Sequence, residues 1–156
     1  LKGSRDKATN YALKLLGYRG RSVKELRERL RAKGIPESAV SSAIRHLKDI
    51  GLIDDVSLAE SLKREAETTK MLSQKGTKRY LFSRGIPRDI IERIFSHEDN
   101  PDVENAGRLV DKKMKVLARY PAEIVKRRLY GLLSRRGYSS ETILKVLKDK
   151  YFIKEV

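Results

Sequence analysis

Residues 21–47 read RSVKELRERLRAKGIPESAVSSAIRHL, and this stretch decides the fold. Ser22 followed by Glu25 has the spacing of a capping box, in which each side chain satisfies an orphan amide at a helix start. Val23, Leu26 and Leu30 then recur at helical spacing, which predicts one apolar stripe. Gly34 falls where a helix end calls for a left-handed residue. Ile35-Pro36 fixes the turn, and Val40, Ala43, Ile44 and Leu47 supply the stripe of a second helix.

Outward from this pair, the same unit recurs with one further helix in front of it. Ala8, Tyr11, Ala12, Leu15 and Leu16 predict a first helix that Gly17 and Gly20 end. Gly51-Leu52-Ile53-Asp54-Asp55 breaks the pattern, with Asp54 or Asp55 as the expected N-cap of a helix through Val56, Ala59, Leu62 and Ala66. A helix is predicted from about Gln74 to Arg84, stopped by Gly85, and Ile86-Pro87 opens another that carries Ile90, Ile91, Ile94 and Phe95. After a polar linker at 96–101, three more carry Leu109 and Val110, Leu129 and Leu133, and Ile143 and Leu147. No segment alternates as a strand does, so the expectation is nine helices.

The register shows a repeat. Ala12, Ala59 and Ala106 are 47 residues apart, and each precedes a leucine by three: Leu15, Leu62 and Leu109. Leu30, Leu81 and Leu133 each stand four before Gly34, Gly85 and Gly137. The expected fold is therefore all-α, with three tandem three-helix repeats at 1–53, 54–101 and 102–156. Because such units bury their faces on one another, an elongated, curved array is expected. The distance from alanine to pre-glycine leucine grows from 18 to 22 to 27 residues, so the first two helices should lengthen by roughly one turn per repeat.

Composition points to an anionic partner. The formal charge is +15, for which nucleic acid is the usual match. Residues 1–53 hold 13 Lys and Arg against 5 Asp and Glu, 54–101 hold 9 against 9, and 102–156 hold 14 against 7, so both ends are basic. Aromatics at 6% allow narrow apolar stripes rather than one thick core. Without cysteine there is no disulfide or thiolate chemistry. No apolar run reaches about 18 residues, so no membrane span is expected, and a cytoplasmic compartment fits.

Little in the sequence suggests catalysis. Asp54-Asp55 is the one tight carboxylate pair between breakers, and a helix cap with a first-turn acid explains it. His46 and His97 lie far apart and lack zinc-ligand spacing. No phosphate-binding glycine loop or nucleophile elbow is present. We expect no catalytic residue, metal or cofactor.

The cations say more. Lys33, Arg84 and Arg136 precede the repeat glycines, where a last-turn cation suits the helix dipole. Lys24 and Lys75 fall in first turns, where a cation opposes the dipole, and this pattern suggests an external anion. Lys24, Arg27 and Arg31 line one side of a stripe, Lys75 and Lys78 stand in an acid-free run, and Arg127 and Arg128 flank the third-repeat stripe. These seven are the candidate binding residues. The simpler reading of such runs is a solvated face, against which the shortage of acids argues. Five of the tyrosines, Tyr11, Tyr18, Tyr80, Tyr130 and Tyr138, could stack on bases, although most fall on or beside the stripes.

The sequence resembles the RecX family, bacterial modulators of the RecA recombinase. The resemblance rests on Arg21-Ser22, Glu25-Leu26, Leu30, Lys33-Gly34, Leu47, Gly51 through Asp55 and Ala59, continued by Gly76, Leu81, Gly85-Ile86 and Arg136-Gly137-Tyr138. It covers nearly the whole chain. Leu58 departs from it, standing where the family commonly has Phe, and Lys70 to Tyr80 is less typical. The resemblance implies a non-enzymatic, all-helical protein of three-helix repeats that lies in the groove of the RecA–single-stranded DNA filament; a monomer is expected. There it would limit strand exchange, ATP hydrolysis and co-protease activity, with single-stranded and duplex DNA as further partners. The alternative is a helix-turn-helix protein acting directly on duplex DNA. Against it, the candidate reading helix opens Glu37-Ser38-Ala39, an acidic start ill suited to a major groove.

Overall fold

The computed structural model describes residues 2–97 and 99–150. Glu98 of the polar linker and the last six residues of the third repeat lie outside them. Among the described residues there are nine helices and no strand. They are α1 (Lys2–Tyr18), α2 (Val23–Ala32), α3 (Glu37–Asp49), α4 (Asp55–Thr68), α5 (Gln74–Ser83), α6 (Arg88–Phe95), α7 (Asp102–Leu117), α8 (Ala122–Arg135) and α9 (Ser140–Lys150). The fold is an all-α repeat.

Local chemistry sets the helix ends. At α2 the Glu25 amide donates to Ser22 Oγ and the Ser22 amide donates to Glu25 Oε1, both at 3.1 Å, completing the capping box. Asp54 caps α4, accepting from the amides of Val56 and Ser57, and Ser139 accepts from the Thr142 amide at the start of α9. Gly34, Gly85 and Gly137 have φ of +82°, +82° and +95°. Each follows a last turn where the next residue's amide closes back on the leucine four before the glycine: Ile35 on Leu30, Ile86 on Leu81, Tyr138 on Leu133. Gly17 does not end α1, which continues through Tyr18.

The chain forms two compact units. The first holds the described residues up to Leu62 together with Leu81–Ser96; the second holds Lys63–Tyr80 and the described residues from His97 on. In the first, α1 and α2 pack on α3. Leu30 and Ile44 share one buried cluster with Val40 and Ala43, while Leu26 belongs to a neighbouring one with Ala12, Leu15 and Leu47. Tyr11 and Val23 pack against both. In the second, Leu109, Leu129, Leu133, Tyr138 and Leu147 form the core beneath α7, α8 and α9.

A joint not foreseen from the sequence occurs once in each unit. In the first, the Val23 amide at the start of α2 donates to Asp55 Oδ1 at 3.0 Å. Arg84 donates to the Gly20 carbonyl at 2.9 Å and pairs with Glu25 at 3.3 Å. A Cβ on Gly85 would come within 2.4 Å of Ser22 Oγ. In the second, the Gln74 amide at the start of α5 donates to Asp102 Oδ1 at 2.8 Å, and Arg136 donates to the Lys70 carbonyl. There a Cβ on Gly137 would come within 2.6 Å of Ser73 Oγ. Gly76 is tight for the same reason, since its Cβ would meet the Arg136 carbonyl at 2.6 Å.

The joint explains why the expected lengthening is only partly seen. α2 and α5 both have 10 residues, because in each the N-cap serine and the glycine after the last turn stand at a fixed spacing. The extra residues of the second repeat lie in α4 beyond Ala59 and in the loop to α5. Only α8, with 14 residues, is a turn longer. It has Pro121 as N-cap, and buried Val125 aligns with Ser22.

Candidate functional site

Each unit carries a cation-lined cleft. In the first, Lys24 and Arg27 on α2 line a cleft of about 380 Å³ with Lys48, Asp55, Phe82 and Ile86. The capping box and the Gly85 contact seat the start of α2 and so place both cations. Phe82 is half exposed, with the Arg88 guanidinium 5.2 Å from its ring centre. In the second, Arg127 and Arg128 on α8 line a cleft of about 470 Å³ facing Lys113, Val116 and Leu117 of α7. The Arg128 guanidinium also lies 4.5 Å from the Tyr120 ring centre.

The other candidates are placed differently. Arg31 holds Glu37 through two bonds of 2.7 and 2.8 Å, and Arg27 reaches the same carboxylate at 3.3 Å. This raises the Arg31 pKa and holds the Glu37 carboxyl below its usual range. The pair is exposed, so solvent screens it and it adds little to stability. Lys75 is exposed in the first turn of α5, and Lys78 is half-buried one turn on.

Lys24 and Lys75 do occupy first turns, but the inference to an external anion does not follow from that alone. Asp55 and Asp102 already bring a carboxylate to those two helix starts. A carboxylate accepting an N-terminal amide complements the dipole and offsets the cation beside it. Burial pushes the Asp55 carboxyl up in pKa, against the Val23 amide and Lys48, which favour its charge. Asp55 therefore does more than start its own helix: it caps α2 from 32 residues downstream.

Two arginines read as last-turn cations act at longer range. Burial pushes the Glu25 carboxyl up, but the Ser22 amide, Arg84 and Arg19 together outweigh it and hold the group below its ordinary range. Arg84 and Arg136 thus fasten repeats at the joints, whereas Lys33 lies 5.0 Å from the Tyr11 ring centre. The available signal was the 47-residue spacing of Asp55 and Asp102, the same as that of the alanines. Tyr138 is core: its hydroxyl donates to the Met71 carbonyl at 3.1 Å, and burial pushes its pKa up to about 12. Tyr18 is 74% exposed.

Among the described residues no group of three or more His, Cys, Asp or Glu could hold a metal ion, and no helix is long and apolar enough to cross a membrane. The fold and its clefts define an all-α repeat protein with a cation-lined cleft in each unit. Residues 8–47 match the first three-helix domain of RecX, and residues 100–147 match the third. The regulatory protein RecX of Amycolatopsis mediterranei is 30% identical over 145 residues, spanning 92% of this chain and 83% of that protein. That of Chlorobium phaeobacteroides is 30% identical over 148 residues, spanning 94% of both chains. The crystal structure of RecX from Lactobacillus salivarius superposes with a TM-score of 0.75 at 28% identity, covering 96% of this chain and 97% of that one. The chain belongs to the RecX family.

Proposed function

We propose that this protein is a non-enzymatic regulator, mainly an inhibitor, of the RecA recombinase. It binds in the groove of the RecA–single-stranded DNA filament and blocks or destabilises it, limiting recombination, ATP hydrolysis and co-protease activity. It acts as a cytoplasmic monomer built of repeats 1–53, 54–101 and 102–156, and needs no cofactor. The observation that carries this reading is the match along nearly the whole chain to proteins named regulatory protein RecX. The cations gathered in the cleft of each unit suit a groove lined by nucleic acid and protein. Lys24, Arg27, Arg127 and Arg128 are the foremost contacts. Lys75 and Lys78 of the second unit add further contacts, and so does Arg31 of the first, by exchanging Glu37 for the partner.

The test is to add the protein to RecA filaments on single-stranded DNA and follow ATP turnover and filament length. Both should fall with increasing protein. If phosphates are contacted, log affinity should decline with log salt by about 0.7 for each single-strand phosphate neutralised. Unchanged turnover and length would overturn the reading. Tight, sequence-dependent binding to a duplex without the recombinase would instead support the helix-turn-helix alternative, for which the exposed Glu37 at the start of α3 is unfavourable.

A further inference from the structure

The cleft between α7 and α8 has a chemistry of its own. Four cations line it, Lys113, Arg127, Arg128 and Arg135, and no carboxylate does. Its floor is aliphatic: Leu117 and Leu132 lie half-buried over the core, and Val116 is 61% exposed. Gly131 of α8 also lines the cleft, and a Cβ there would come within 3.1 Å of Arg135 Nη1.

A nucleic-acid base fits this lining poorly. No aromatic ring lines the cleft for stacking. No lining side chain accepts a hydrogen bond, so the amino or imino donors of an inserted base would be desolvated without partners. The cleft of the first unit differs, since Phe82 lines it. An aliphatic floor ringed by guanidinium groups matches a bulky apolar side chain with carboxylates on either side. Each carboxylate can then take a forked arginine while the apolar group fills the centre, as an anchor does in a protein interface.

We propose that this cleft is a protein-docking site that receives an apolar side chain flanked by Asp or Glu, from an acidic segment of a partner protein. The inference rests on the function proposed above, under which that segment belongs to the recombinase. It assigns Arg127 and Arg128 to the protein side of the contact rather than to the DNA.

Site-specific photo-crosslinking tests this. Benzoylphenylalanine is introduced in place of Val116 in the full chain, RecA filaments on single-stranded DNA are added, and the mixture is pelleted, irradiated and mapped by mass spectrometry. The expected adduct is with a recombinase peptide in which an apolar residue lies between carboxylates. Its yield should fall about tenfold when Arg127→Ala and Arg128→Ala are combined with the probe, as loss of paired interface charges predicts. An adduct with the DNA strand would overturn the proposal, as would no adduct although the probe-bearing chain pellets with filaments. An adduct unaffected by the two arginine changes would overturn it as well. If the unmodified chain itself fails to pellet, the functional reading falls, and this inference falls with it.

Discussion

Gly34, Gly85 and Gly137 share a left-handed backbone but not a neighbourhood. A Cβ at Gly34 meets nothing within 4 Å, whereas at Gly85 and Gly137 it would strike a buried serine hydroxyl. Gly34→Ala should therefore cost of order 1 kcal/mol from backbone strain alone, and Gly85→Ala and Gly137→Ala distinctly more. Urea denaturation checks the ranking; equal losses at all three would mean that the serine contacts do not constrain the joint. Glu25 gives a pH signature. Its folded pKa lies below the unfolded value, so the stability it contributes is present above the ordinary carboxylate pKa of 4.5 and is lost as pH falls through the folded value. Glu25→Gln should destabilise the chain near neutral pH and make its stability fall less steeply on acidification. An unchanged acid limb in urea melts would contradict the assignment.

At the scale of the element, Asp55 separates the role of a charge from that of an acceptor. Its oxygen caps α2, yet burial disfavours its ionised form. With the folded pKa raised, ionisation costs stability above the titration and protonation relieves that cost as pH falls. Asp55→Asn keeps an oxygen for the Val23 amide and should be neutral or slightly stabilising near neutral pH. Asp55→Ala removes the cap and should cost about 0.5–2 kcal/mol. Equal destabilisation by both would show that the negative charge is what holds α2. Elements of this kind were legible where their causes are local: Ser22 and Glu25 announce α2, and Gly34 with Ile35-Pro36 announces its end. The joints were not, because Asp55 and Val23, or Arg84 and Glu25, meet across 32 and 59 residues. Helical periodicity carries no information at that range. The candidate site was legible in part. Lys24 and Arg27 do share a cleft, but their neighbours Lys48 and Phe82 come from other helices, and no spacing within α2 could name them.

For the whole molecule, the proposed function requires that the cations lining the clefts act on a filament rather than merely keep the protein soluble. Lys24 and Arg27 suit this test, because both line the cleft of the first unit and neither is core. Substitutions at such positions seldom unfold a domain, so a helical far-UV spectrum should survive Lys24→Glu combined with Arg27→Glu. The decisive measurement is RecA ATP turnover on single-stranded DNA, titrated with the unaltered protein and with this double variant. We expect the unaltered protein to suppress turnover and the variant to need at least about tenfold more protein for the same suppression, as loss of steering and contact charges predicts. Equal suppression by a folded variant would contradict the claim that this basic cleft engages the filament.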